Sequence, residues 1–249
     1  MKIDDVKNVC VVGAGNMGHQ IALQCALSGF KTISTDVVPA VLEKAQKFVD
    51  NYLPGRVQKG KMTEEEASAV RSRISFTTDL SDAAKDADVV IEAVLERIDL
   101  KRKIFADLDK IAPEGAILAT NSSFIVSSRI ADATRRPDRV CNLHFFNPAL
   151  VMKLVEVVQG PHVSDETAKC MMDFCLKIDK IPVHVKKKLT TSFSTAFSVP
   201  VTRRLSGCSK WAWPHTKTST RHVFTAPAIR WDPSACWISP VSIWPMISA

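Results

Sequence analysis

The chain has 249 residues, room for one large or two small domains, and its 46% hydrophobic and 24% charged content is that of a globular protein. No apolar run reaches membrane-spanning length, the N-terminus MKIDDVKN lacks a signal-peptide core, and the seven cysteines show neither C-x-x-C nor zinc spacing. A reduced, cytoplasmic protein without metal or membrane partner is therefore expected. The net charge of +7 suggests nucleic acid until it is divided: residues 189–249 hold six of the Lys and Arg and one of the acids, +5, which leaves +2 for residues 1–188. The first part has an ordinary enzyme surface, and no nucleic-acid partner is expected.

In chain order, residues 9–12 form a short apolar run of the buried parallel-strand kind. Gly13, Gly15 and Gly18 follow in G-x-G-x-x-G order. Gly13 permits the tight turn, Gly15 lets backbone approach a pyrophosphate, and Gly18 lets helix pack on strand. The helix expected over residues 16–28 presents free N–H groups to that anion. A second strand over residues 31–35 ends at Asp36, at dinucleotide-binding distance. A carboxylate there accepts hydrogen bonds from the ribose 2′-OH and repels a 2′-phosphate. No arginine follows directly, so NAD is expected over NADP. The competing readings are a glycine-rich structural turn and an Asp36 that caps the helix begun near Pro39.

A helix over residues 40–51 follows. Thr63 and Glu66 form a capping box for a helix ending near Ser72. Strands are expected over residues 74–78 and 87–94. An amphipathic helix covers residues 100–111, with Leu100, Ile104, Leu108 and Ile111 on one face. Strands over residues 116–120, 140–146 and 153–158, a helix over 164–178 and a strand over 181–185 complete the pattern. The alternation predicts an α/β fold, a Rossmann-type doubly wound, mostly parallel sheet.

The chemistry-bearing stretch is Cys141-Asn142-Leu143-His144-Phe145-Phe146-Asn147-Pro148, followed by Lys153-Leu154-Val155-Glu156. His144 ends one predicted strand and Glu156 lies in the next, so a short turn can bring them together. A histidine polarised by a carboxylate is a good general base near neutral pH, as oxidation of an alcohol by hydride transfer to NAD requires. Asn147 and Pro148 would form a rigid turn, leaving the Asn147 amide to bind substrate or nicotinamide. The alternative is a core histidine at a strand end and an ordinary edge glutamate.

GAGNMG, HFFNPA and KLVEVV together resemble the L-3-hydroxyacyl-CoA dehydrogenase family, closest to its short-chain 3-hydroxybutyryl-CoA branch, over residues 5–187. The resemblance implies oxidation of (S)-3-hydroxyacyl-CoA to 3-oxoacyl-CoA with NAD. It implies His144 as base, Glu156 as its orienting acid, and Ser123 in contact with substrate and nicotinamide. Asn147 would lie beside the nicotinamide, Glu96 and Lys101 would contact the cofactor, and Lys59 and Lys61 would be candidates for CoA binding. It also implies a homodimer.

Past Lys188 the character changes. All five tryptophans, six of thirteen prolines and one of nine glycines lie there, with no Glu. The family continues instead with a helical domain that closes the substrate cleft and forms the dimer. Residues 1–187 therefore read as the NAD-binding domain and 188–249 as an aberrant tail, the product of a reading-frame shift. Tryptophan has the single codon TGG. If Lys210 ends in A, synonymous choice lets the neighbouring frame from Lys210 to Pro233 give MGVATHEDIDKACVYGAGHPMGP, a peptide similar to the family's C-terminal domain. Competing readings are a dehydrogenase of a sugar acid and an inactive NAD-binding remnant.

Overall fold

The computed structural model describes residues 1–186; the tail, its prolines and the frame reading lie outside the described residues. Eight strands form one sheet. They are β1 (Asn8–Val12), β2 (Lys31–Thr35), β3 (Ile74–Thr77), β4 (Val89–Glu92), β5 (Ile117–Thr120), β6 (Val140–Phe145), β7 (Leu154–Val158) and β8 (Ile181–Val185). Their order is β3-β2-β1-β4-β5-β6-β7-β8. Pairing is parallel except between β6 and β7. The order reverses direction at β1, and a ligand crevice is expected beyond the strand ends at such a switch point.

Both faces of the sheet are covered. Val9 and Val11 face a core shared with α1 (Gly18–Leu27) and α6 (Asp165–Lys177), while Cys10 and Val12 face one shared with α5 (Ile98–Ile111). Burial on both sides is why the strands read as unbroken apolar runs. The fold is the doubly wound, mostly parallel sheet expected.

Three elements differ from expectation. The helix α2 (Pro39–Gln58) runs past Asn51 and through Pro54. Leu42, Ala45, Val49 and Leu53 are buried along its first part, one apolar stripe ending just before the proline. After α3 (Glu64–Arg73), α4 (Leu80–Ala84) is too short to show a period; Asp79 caps it, accepting from the Ser81 N–H at 2.7 Å. On α5, Lys101, Phe105, Leu108 and Asp109 are buried and Ile104 and Ile111 pack against the same core as expected, while Leu100 lies partly outside that face and, with Ile104, lines a cleft. The capping box at Thr63 forms, with Glu66 N–H donating to Thr63 Oγ1 at 3.1 Å and Thr63 N–H to Glu66 Oε2 at 2.9 Å.

Candidate active site

The site lies at the C-terminal ends of β1, β4, β5 and β6, and its first part is backbone. Gly13 has φ +95°, and a Cβ there would meet the Ala93 carbonyl oxygen at 2.8 Å. A Cβ on Gly18 would lie 1.7 Å from the Gly13 carbonyl oxygen, whereas one on Gly15 would meet nothing within 4 Å. Two glycines thus close the turn, and the third leaves an open approach. Asp36 Oδ2 accepts from the Ala14 N–H at 2.9 Å and Oδ1 from the Val38 N–H at 3.0 Å. The carboxylate therefore ties the glycine turn to the end of β2; its bond to the Val38 N–H lies just ahead of α2, whose N-cap receives no side-chain cap bond, so the helix-capping alternative is not what the structure shows.

Beyond the turn is a cleft of about 520 Å³, lined by Gly13, Gly15 and Asp36 and walled by Val37, Val38 and Leu95, whose side chains are exposed. Apolar walls with a carboxylate at the mouth suit a flat heterocycle joined to a ribose. An adjoining cleft of about 390 Å³ is lined by Asn16, Glu96, Asn121 and Ser123. The glycine cradle, the N-terminus of α1 and these two clefts fit an extended dinucleotide.

The second part is built from side chains. In the antiparallel pairing of β6 with β7, His144 stands directly opposite Glu156. Nδ1 of His144 lies 2.9 Å from Glu156 Oε2, and Glu156 is fully buried. The connection over residues 146–153 is too short for a parallel crossover, and that fixes the antiparallel turn. With Nδ1–H donating to the carboxylate, Nε2 keeps its lone pair and can take a proton. Asn147 is exposed, its peptide bond to Pro148 is cis, and its Oδ1 accepts from Asn16 Nδ2 at 3.3 Å, which joins this turn to the glycine loop.

Ser123 lines the second cleft, in a loop held at several points. The preceding Asn121 accepts from the Phe145 N–H at 2.8 Å, which ties that loop to the residue after His144. Glu96 accepts from the Ser122 hydroxyl and from the N–H groups of Phe124 and Ile125 at 3.2 and 3.1 Å. Burial pushes the Glu96 carboxyl up, but the Ser122 hydroxyl and Lys101 outweigh it and hold it below the ordinary value. Lys101 is 1% exposed, with Nζ 2.7 Å from Glu92 and 3.3 Å from Glu96. Lys59 and Lys61 sit exposed in the turn between α2 and α3 and line neither cleft.

Sequence reasoning passed over Glu92, Asn121 and Asn142. Glu92 is fully buried and accepts from Lys101, from the Val94 N–H and from the Thr120 hydroxyl, each at 2.7 Å. Asn142 accepts from the Ser127 N–H at 2.7 Å and donates to the carbonyls of Ser122 and Ile125 at 3.2 and 3.1 Å. For Glu92 and Asn142 the usable signal was a polar residue inside an otherwise apolar strand, since a buried polar group must find partners.

The model of the family described as "3-hydroxyacyl-CoA dehydrogenase, NAD binding domain" matches residues 8–188. The chain is 42% identical over 181 residues to a probable 3-hydroxybutyryl-CoA dehydrogenase of Bacillus subtilis, covering 73% of this chain and 63% of that protein. It is 38% identical over 187 residues to the mitochondrial hydroxyacyl-coenzyme A dehydrogenase of Rattus norvegicus, covering 73% and 59%. The solved structure of 3-hydroxybutyryl-CoA dehydrogenase from Escherichia coli superposes with a TM-score of 0.70 at 38% identity, covering 72% of this chain and 38% of that one. The chain thus spans about three-fifths of the length of the first two relatives.

Proposed function

The chain belongs to the 3-hydroxyacyl-CoA dehydrogenase family, and from that premise we propose that it oxidises an (S)-3-hydroxyacyl-CoA to the 3-oxoacyl-CoA with NAD, in fatty acid or butanoate metabolism. The observation that carries this reading is the His144–Glu156 pair, 2.9 Å apart, on a strand whose following turn is hydrogen-bonded to the glycine loop. NAD, when bound, supplies the acceptor for the hydride leaving C3 of the substrate. The chain's own residues do the rest. His144 Nε2 takes the proton of the 3-hydroxyl as the hydride departs, and Glu156 holds the ring in the required tautomer and stabilises the imidazolium. Ser123 hydrogen-bonds the substrate from the opposite wall. Asp36 selects NAD at the adenosine ribose, while Glu96, pinned by Lys101, keeps the Ser123 loop in place.

The preferred substrate is the short 3-hydroxybutyryl thioester, in keeping with the printed names of the Bacillus and Escherichia proteins. The setting is a reducing, cytoplasmic one, and the protein acts on an acyl-CoA rather than on nucleic acid or a membrane. Among the described residues, five cysteines are free and buried, burial pushes the thiols of Cys10, Cys25 and Cys141 up to about 12, and no helix is long and apolar enough to cross a membrane. Residues 1–187 are the NAD-binding domain, and residues 188–249 stand where the family's helical, dimer-forming domain belongs. The composition shift after Lys188 favours a second reading, an NAD-binding remnant without turnover.

Separate assays of NAD binding by calorimetry and of NADH formation from (S)-3-hydroxybutyryl-CoA decide between the readings. Binding with turnover supports the dehydrogenase. Binding without turnover, regained when the frame near the codon for Lys188 is restored, supports the family function with a damaged tail. Failure of the restored protein to turn over contradicts it.

A further inference from the structure

A row of three side-chain amides runs from the buried side of α1 to the turn after His144, and the direction of each can be read from backbone groups of fixed polarity. Gln20 is 7% exposed and lies between two such groups. The Leu150 N–H, which can only donate, is 3.4 Å from Gln20 Oε1; the Asn16 carbonyl, which can only accept, is 2.9 Å from Gln20 Nε2. Gln20 is therefore set one way round. Its Nε2 also donates to Asn16 Oδ1 at 3.3 Å, which sets Asn16 with its Nδ2 outward. Asn16 Nδ2 then donates to Asn147 Oδ1 at 3.3 Å. With its oxygen held against Asn16, the Asn147 amide is set with its two N–H donors turned away from that bond.

We propose that Asn16 and Gln20 are positioning residues that fix the amide of Asn147, so that it offers a donor to a carbonyl oxygen, that of the nicotinamide carboxamide. This rests on the proposed dehydrogenase reading and on the place beside the nicotinamide that the family resemblance implies for Asn147. Without the relay, the Asn147 amide is free to rotate, and half of its orientations present oxygen to oxygen. The same relay ties the cofactor loop to the turn that follows His144: Lys180, buried, donates to the Ala149 and Met152 carbonyls at 2.6 and 3.0 Å and holds the far side of that turn.

The test compares NAD with ADP-ribose, which has every part of the dinucleotide but the nicotinamide, by calorimetry on the full chain. Asn16→Ala, Gln20→Met and Asn147→Ala should each weaken NAD about 3- to 10-fold, as loss of one neutral hydrogen bond does, and leave ADP-ribose unchanged. The double variant Asn16→Ala with Asn147→Ala should be no weaker than Asn147→Ala alone. Asn16 is exposed, so its variant remains informative if Gln20→Met does not fold. Equal loss for both ligands would make the relay merely structural, and additive losses would make Asn16 an independent contact; either overturns the inference. An Asn147→Ala protein with unchanged NAD affinity overturns it too, while Asp36→Ala still weakening both ligands would leave the cofactor reading standing. A parent chain that binds neither ligand removes both readings together.

Discussion

The two halves of the site are made in different ways. On the β1–β2 side, the groups that shape it come from one continuous unit, Gly13 through Asp36, and most of them are backbone. That unit closes on itself, Asp36 accepting from Ala14 and the Gly13 N–H donating to the Thr35 carbonyl at 2.7 Å. On the β5–β7 side, the groups come from segments far apart in sequence and are almost all side chains: Glu96 to Ser122, Asn121 to Phe145, His144 to Glu156. Cofactor binding here is a property of local chain geometry, and the base is a property of register between strands. Changes in the Gly13–Asp36 unit should therefore act on binding, and changes in the His144–Glu156 pair on turnover.

The largest separation is expected from His144→Gln. In a protein carrying the proposed frame correction, turnover should fall about 10²–10⁴-fold, the span of general-base catalysis, with NAD affinity unchanged by calorimetry. A parallel loss of NAD affinity would erase the distinction between the halves. Gly18→Ala attacks the other half. Its Cβ would stand 1.7 Å from the Gly13 carbonyl oxygen, a backbone atom that cannot step aside, so the loss should reach about 3 kcal/mol of stability. Chemical denaturation measures this, and an alanine protein of native stability would show that the turn is not closed as described.

Asp36→Ala is milder. The ribose loses its carboxylate partner at a cost of about 1–3 kcal/mol in NAD binding, and discrimination against NADP relaxes. Because Asp36 also holds Ala14 and Val38, loosening of the glycine turn should accompany it, seen as faster amide exchange at Ala14.

The smallest effect concerns pH. Glu96 is held below its ordinary value of 4.5, so it favours the native loop above that pH, and the contribution is lost as pH falls through the depressed value. Protection of the Phe124 and Ile125 amides, which donate to Glu96, measured against the intrinsic exchange rate at each pH, should fall over that acid range and stay constant above it. Glu96→Gln should remove the dependence.

The same contrast explains what could be read from the sequence. The glycine turn, Asp36 and the strand–helix alternation are visible because each is local: an apolar run, a glycine spacing, a carboxylate at a strand end. The pairing of His144 with Glu156 could be anticipated because only a short connection separates their strands. The supporting network could not. The resemblance singled out Lys101 and Glu96 as cofactor contacts, but nothing local shows that Lys101, a charged residue of an amphipathic helix, is 1% exposed between Glu92 and Glu96. Asn121 gains its partner from β6 and Asn142 its partners from residues 122–127, which only the folded sheet brings near. The continuation of α2 beyond Asn51 was hidden by Pro54, which reads as a helix end.

The central claim is that the two halves together make a dehydrogenase site, and NADH formation at 340 nm tests it most directly. The frame-restored protein, given NAD and either (S)- or (R)-3-hydroxybutyryl-CoA, should form NADH with the (S) enantiomer alone, and His144→Gln should suppress that signal while still binding NAD. Equal rates with both enantiomers, or an undiminished rate in His144→Gln, would contradict the account.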